Sequence, residues 1–179
     1  MKLTDLVVPE AIMPDLRAGT KEEAAREMVN ALHAAGCVGE ADREDVIQAI
    51  LHREQLGTTG FSDGVAMPEA RHPAIGRTLG TIALSHRGLE FDAMNGRPVH
   101  ILFLLASPPA RPADYLHAAE IISRLLHNEN FCNRLRQAET REEVVGLLAE
   151  ADQDSLWKAD IDARWEPIRA SLREGTPPA

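Results

Sequence analysis

Residues 99–106 read Val-His-Ile-Leu-Phe-Leu-Leu-Ala, with His100 the single polar break. An apolar run of this length without alternation predicts a strand covered on both faces, because a one-sided strand alternates with period two. Such a strand needs packed elements above and below it. Helical patterns supply them: they dominate the chain before residue 55 and again after residue 112. Helices first, strands next and helices last predict a layered α/β domain ending near Glu150.

The chain order fills in that frame. Residues 3–13 carry Leu6, Val7, Val8 and Ile12, punctuated by Pro9 and followed by Pro14, and read as an edge strand or an extended lead-in. Thr20 with Glu23 forms a capping-box pattern. It opens a helix with Ala24, Ala25, Met28, Val29 and Leu32 on one face, ended by Gly36. Asp42 is the expected cap of a second helix through Val46, Ile47, Ile50 and Leu51. Residues 78–86 read as a strand, and Asn95-Gly96 as a turn. A helix is expected from about residue 113 to 127, with Leu116, Ala119, Ile122, Leu125 and Leu126 inward. Asn128 is placed to cap a short helix bearing Phe131 and Leu135, and Thr140 with Glu143 repeats the capping box. The domain is therefore expected over residues 1–150. Residues 151–179 form an appendage, an extra C-terminal helix with an apolar stripe of Trp157, Ile161, Trp165, Ile168 and Leu172, and a short tail.

A net charge of −9 without a basic stripe argues against nucleic acid and anionic membrane surfaces as partners. The two cysteines, Cys37 and Cys132, and the seven scattered histidines show no metal-ligand spacing, so neither a metal nor another cofactor is expected. No apolar run is long enough to span a bilayer, and the N-terminus lacks a signal-peptide pattern. The expected setting is the cytoplasm.

Chemistry concentrates in residues 51–73. The second helix breaks at Leu56-Gly57, and the chain turns through Thr58-Thr59-Gly60 and again at Ser62-Asp63-Gly64. A short β-like run, Val65-Ala66-Met67, then stops at Pro68, and Glu69, Arg71 and His72 follow at once. The turns bring a helix end, Arg53, back towards a strand end, and charged groups gathered at element ends are how α/β domains build sites.

Here the chain resembles a known family, the EIIA domains of the bacterial phosphoenolpyruvate-dependent phosphotransferase system of fructose/mannitol type, which include the nitrogen-regulatory EIIA proteins. The resemblance rests on Arg53-Glu54 with Gly57-Thr58-Thr59-Gly60, on Gly64-Val65-Ala66-Met67-Pro68, and on Arg71 and Pro73. The buried strand and the helix beginning Leu116-His117-Ala118-Ala119-Glu120 continue it, in order and spacing, over roughly residues 3 to 150. It implies a mixed β-sheet layered with helices. It also implies the family's task of taking a phosphoryl group from HPr onto a histidine and passing it to an EIIB domain. The partners it implies are proteins: HPr-like, EIIB-like, or a transporter or kinase regulated by docking.

The resemblance also implies a departure. The family pattern Pro-His-Gly-Arg reads Pro68-Glu69-Ala70-Arg71 here, so Glu69 stands at the phosphoacceptor position. Tyr115, before Leu116, stands at the second histidine position, while the site arginine is retained as Arg53. A neutral imidazole attacks a phosphoryl group without charge repulsion; a carboxylate is an anion attacking an anion. Glu69 is then either a solvated loop carboxylate or a fixed negative charge in place of a phosphoryl group, paired with Arg53 or Arg71 in an exposed ion pair. Phosphotransfer through His72 or Glu69 is the alternative. Thr58 and Thr59 either donate to an anion or form a turn that positions Arg53. Arg71 either contacts a partner or pairs with a surface carboxylate.

Overall fold

The computed structural model describes residues 1–61 and 63–153. The predicted C-terminal stripe from Trp157 to Leu172 lies outside the described residues. The helices are α1 (Leu3–Leu6), α2 (Lys21–Ala34), α3 (Arg43–Gln55), α4 (Pro112–Leu126), α5 (Glu129–Gln137) and α6 (Arg141–Gln153). The strands are β1 (Val65–Ala66), β2 (Glu69–Arg71), β3 (Leu79–Leu89) and β4 (Val99–Ser107).

The apolar run at 99–106 is the spine of the sheet. β3 pairs antiparallel along one edge of β4, while β1 and β2 pair parallel along the other. β1 and β2 are one strand interrupted at Met67-Pro68: Val65 pairs with Ile101 and Glu69 with Leu105. Pro68 has no amide to donate, yet its carbonyl still accepts from the Leu105 amide at 2.9 Å, so the strand resumes instead of ending there.

Both faces of β4 are buried. Ile101, Phe103 and Leu105 join a core with α1, α4, α5 and α6. Leu102, Leu104 and Ala106 join a second core with α2 and α3. The fold is thus a mixed α/β layer structure with helices on both faces.

The capping boxes form as their spacing predicts. Thr20 accepts from the Glu23 amide while Glu23 reaches back to the cap, and Glu143 does the same for Thr140. Asn128 accepts from the Phe131 amide to open α5. Four local expectations give way to tertiary context. Residues 3–13 are not an extended strand: Leu3–Leu6 is a helical turn, held because the Asp152 carboxylate accepts from the Leu3 and Thr4 amides and the Thr4 hydroxyl. Only isolated parallel bridges, Val7 to Gly80 and Met13 to Ala83, remain of the expected edge. Asp42 precedes α3 without a side-chain cap, because a 3-10 turn over Glu40–Asp42 leads directly into the helix. α6 runs past Glu150 to Gln153.

The fourth correction bears on the candidate site. Ile122, Leu125 and Leu126 are buried as expected, but Leu116 is not inward; it is 47% exposed, and Tyr115, Ala118 and Ile121 complete the buried face with His117. Counting Tyr115 and His117 as polar misplaces the first turn of that face. Both are buried, since an aromatic body packs well when its polar tip finds a partner.

Candidate functional site

β2 has a hydrogen-bonded partner strand on one side only, β4, among the described residues. Side chains from both helical layers therefore reach it around its open edge. Arg53 arrives from the last turn of α3, and Tyr115 from the first turn of α4. Strand alternation directs Glu69 and Arg71 to one face and Ala70 to the other, where Ala70 packs in the α2/α3 core.

The three residues aligned by resemblance meet at Glu69. Arg53 Nε donates to Glu69 Oε1 at 2.5 Å, and the Tyr115 hydroxyl donates to Glu69 Oε2. Each carboxylate oxygen therefore has its own donor. Arg53 is anchored in turn, its Nη1 donating to the Gly57 carbonyl at 3.0 Å across the turn that ends α3. The Arg71 guanidinium stacks over the Tyr115 ring with Cζ 4.0 Å from the centroid, a cation–π geometry. Arg71 thus holds the phenol and not a surface carboxylate.

The exposed ion pair expected from the loop setting is replaced by a half-covered one. The Arg53 side chain is 41% exposed, but that of Glu69 only 13%, because it sits under Tyr115. Burial pushes the Tyr115 phenol up to about 12, with the Glu69 hydrogen bond and charge adding in the same direction. Arg71 opposes the rise without cancelling it. Tyr115 is a neutral donor at ordinary pH, and Glu69 accepts from it.

The remaining expected residues lie elsewhere or are otherwise engaged. The Thr59 hydroxyl donates to Glu54 Oε2 at 2.6 Å, and its amide contacts both Glu54 oxygens at 3.1 Å. The Thr58 hydroxyl donates to the Phe91 carbonyl and accepts from the Gly60 amide. Both threonines build the turn that follows Arg53, which is the positioning alternative. His72 follows β2, and its Nδ1 accepts from the Ala74 amide at 3.2 Å to close a tight turn. It is not brought to Glu69.

Sequence reasoning missed two contacts, Glu54 with Thr59 and Arg71 with the Tyr115 ring, although Arg71 itself was an expected site residue. Glu54 is a buried carboxylate whose three contacts to Thr59 fix the α3 exit beside Arg53. A Glu ahead of a Gly-Thr-Thr-Gly break was the available signal. Arg71 on Tyr115 had none, because the two meet only through the β2–α4 packing. Among the described residues, no cluster of three or more His, Cys, Asp and Glu is placed to hold a metal ion. No helix there is long and apolar enough to cross a membrane.

A layered mixed sheet with charged side chains converging at the end of a parallel strand defines an α/β domain whose candidate site lies at strand ends. The family described as "Phosphoenolpyruvate-dependent sugar phosphotransferase system, EIIA 2" matches residues 5–151, and the chain belongs to it. A nitrogen regulatory protein of Bradyrhizobium diazoefficiens is 38% identical over 149 residues, covering 83% of this chain and 95% of that protein. The crystal structure of the nitrogen regulatory protein IIA-Ntr of Neisseria meningitidis superposes with a TM-score of 0.71 at 26% identity, over 82% of this chain and 98% of that one. The Escherichia coli mannitol enzyme IIA, solved in complex with phosphorylated mannitol enzyme IIB, shares the fold with a TM-score of 0.68 at 23% identity, over 81% and 99%.

Proposed function

We propose that this chain is a regulatory EIIA-type module that signals by docking a protein partner and does not carry phosphate. On the alignment implied by the resemblance, Glu69 occupies the phosphoacceptor position and Tyr115 the second histidine position. The observation that carries the reading is that both Glu69 oxygens are engaged: Arg53 takes one and Tyr115 the other. A nucleophile must aim a lone pair in line at phosphorus, and each donor lowers the nucleophilicity of the oxygen it holds. Here the carboxylate is a fixed anion, already neutralised by the arginine, at the place where the family develops a phosphoryl group. The charge is smaller than a phosphoryl group's and has fewer acceptor oxygens, so the module resembles one signalling state only in part.

The partners fitting this reading are those of the family: an HPr-like or EIIB-like protein in the cytoplasm, or a transporter or kinase controlled by contact. The test is intact-mass measurement under mild conditions after incubation with phosphoenolpyruvate, enzyme I and HPr from a matching source. No phosphoryl gain is expected. A near-stoichiometric gain abolished by Glu69→Gln or His72→Ala would establish a phosphocarrier and overturn the proposal.

A further inference from the structure

The opposite end of the sheet holds a second cleft. It opens where β1 and β4 begin, between those strands and the α4–α5 junction, with a volume of about 400 Å³. Val65 pairs with Ile101 here, whereas Glu69 pairs with Leu105, and the cleft residue Arg97 precedes the strand. At about 3.3 Å per residue, the cleft lies roughly 15–25 Å along the sheet from Glu69. A smaller depression of about 180 Å³ shares His100 and Arg136 with it.

Its chemistry is divided. Arg97 and Arg136 supply cationic groups in a chain of net charge −9. Arg136 is held in place, its Nη1 donating to Asn133 Oδ1 at 3.0 Å and its Nη2 to the Asp63 carbonyl. These are neutral acceptors, so the guanidinium is oriented without being neutralised, and among the described residues neither it nor Arg97 forms a salt bridge. Gly64, at φ +70°, makes the backbone turn beside them; a Cβ there would lie 3.3 Å from the Pro98 carbonyl and 3.7 Å from Arg136 Nη2. His100 Nδ1 lies 2.8 Å from the Ser85 carbonyl, which fixes its proton on that nitrogen. Beside the arginines stand Asp63, Glu129 and Asn133, which can accept from hydroxyl groups, and Leu126 and Cys132 add apolar surface.

We propose that this cleft binds a phosphorylated sugar or polyol, its phosphate on Arg97 and Arg136 and its hydroxyls on His100 Nε2, Asp63, Glu129 and Asn133. Paired guanidinium groups suit a phosphate's oxygens. A bare inorganic anion would leave the neighbouring carboxylates without donors. A hydroxylated phosphomonoester brings both an anion for the arginines and hydroxyl donors for the acceptors, and the cavity has room for a hexose phosphate. The site is separate from Glu69 and does not depend on whether that residue carries phosphate.

The experiment is amide NMR on the full chain, titrated separately with glucose 6-phosphate, glucose and inorganic phosphate to on the order of 10 mM. Glucose 6-phosphate is expected to give saturable shifts at Gly64, His100 and Asn133 while Arg71 and Tyr115 stay still, with glucose and phosphate binding at least about tenfold more weakly. Arg97→Gln, at an exposed residue whose side chain has no structural partner among those described, is expected to weaken glucose 6-phosphate by about tenfold or more. Absence of saturable shifts overturns the site. Shifts centred on Arg71 and Tyr115 overturn its location. Equal binding of phosphate overturns the sugar half, and an unaffected Arg97→Gln variant overturns the role of the arginine.

Discussion

Tyr115 is the only tyrosine in the chain, so its phenolate absorbance reports the candidate site without a competing signal. In the folded protein the phenol is 7% exposed, bonded to Glu69 and stacked under Arg71. Burial, then the Glu69 hydrogen bond and charge, raise its pKa from 10.0 to about 12. That corresponds to a roughly hundredfold tighter hold on the proton than in a free phenol. In the unfolded chain the proton leaves near the ordinary value. Between about 10 and 12 the unfolded state therefore binds fewer protons than the native state, and stability falls as pH rises. The contribution is complete below about 10 and lost above about 12. Glu69→Gln removes the negative charge next to the phenol but leaves its burial. The midpoint in the variant should fall below wild type yet stay above the ordinary phenol value, because desolvation is the largest cause. Near-ultraviolet absorbance titration of both proteins, with a guanidinium-unfolded reference and circular dichroism to confirm folding, makes the measurement. A native wild-type midpoint near 10, or identical midpoints in the two proteins, would refute the placement of Tyr115 against a charged Glu69.

Two further substitutions probe the frame around the site. Glu54→Ala orphans the Thr59 amide and hydroxyl in a buried turn, and should cost about 3 kcal/mol in urea unfolding; a loss under about 1 kcal/mol would mean the turn holds without that carboxylate. Gly80→Ala puts a Cβ 2.7 Å from Phe103 Cε1 and 2.9 Å from the Leu104 carbonyl of the paired strand, and should cost about 1–3 kcal/mol in the same assay; an unchanged midpoint would mean that β3 can shift off β4 freely.

The parts legible in the sequence are those whose cause is local. Each capping box closes within three residues, so Thr20 and Thr140 announce α2 and α6 correctly. β4 is legible because burial on both faces leaves no polar positions to alternate. The parts that were not legible depend on distant partners. The α1 turn exists because Asp152, nearly the whole chain away, caps it. The inward face of the first α4 turn depends on burying a tyrosine whose hydroxyl partner, Glu69, lies 46 residues earlier. Pro68 reads as a stop, but the carbonyl it keeps lets β4 carry the strand through to Glu69.

The same distinction separates the identities of the site residues from their state. Arg53, Glu69 and Tyr115 could be placed together by resemblance, motif by motif. Whether Glu69 was a solvated carboxylate or a held charge could not, because that depends on the β2 edge lying between two helical layers. Arg53 comes from one layer and Tyr115 from the other, and they close on opposite oxygens of one carboxylate. An incoming phosphoryl group would have to meet an oxygen that already accepts from one of these donors, bringing an anion onto an anion. A docking partner faces no such requirement. Leu116 stands exposed next to Tyr115, and the outer part of Arg53 remains open to solvent. An exposed apolar side chain beside a half-open arginine is a surface that another protein can cover without disturbing Glu69. The proposed function therefore rests as much on what remains accessible around the carboxylate as on the carboxylate itself.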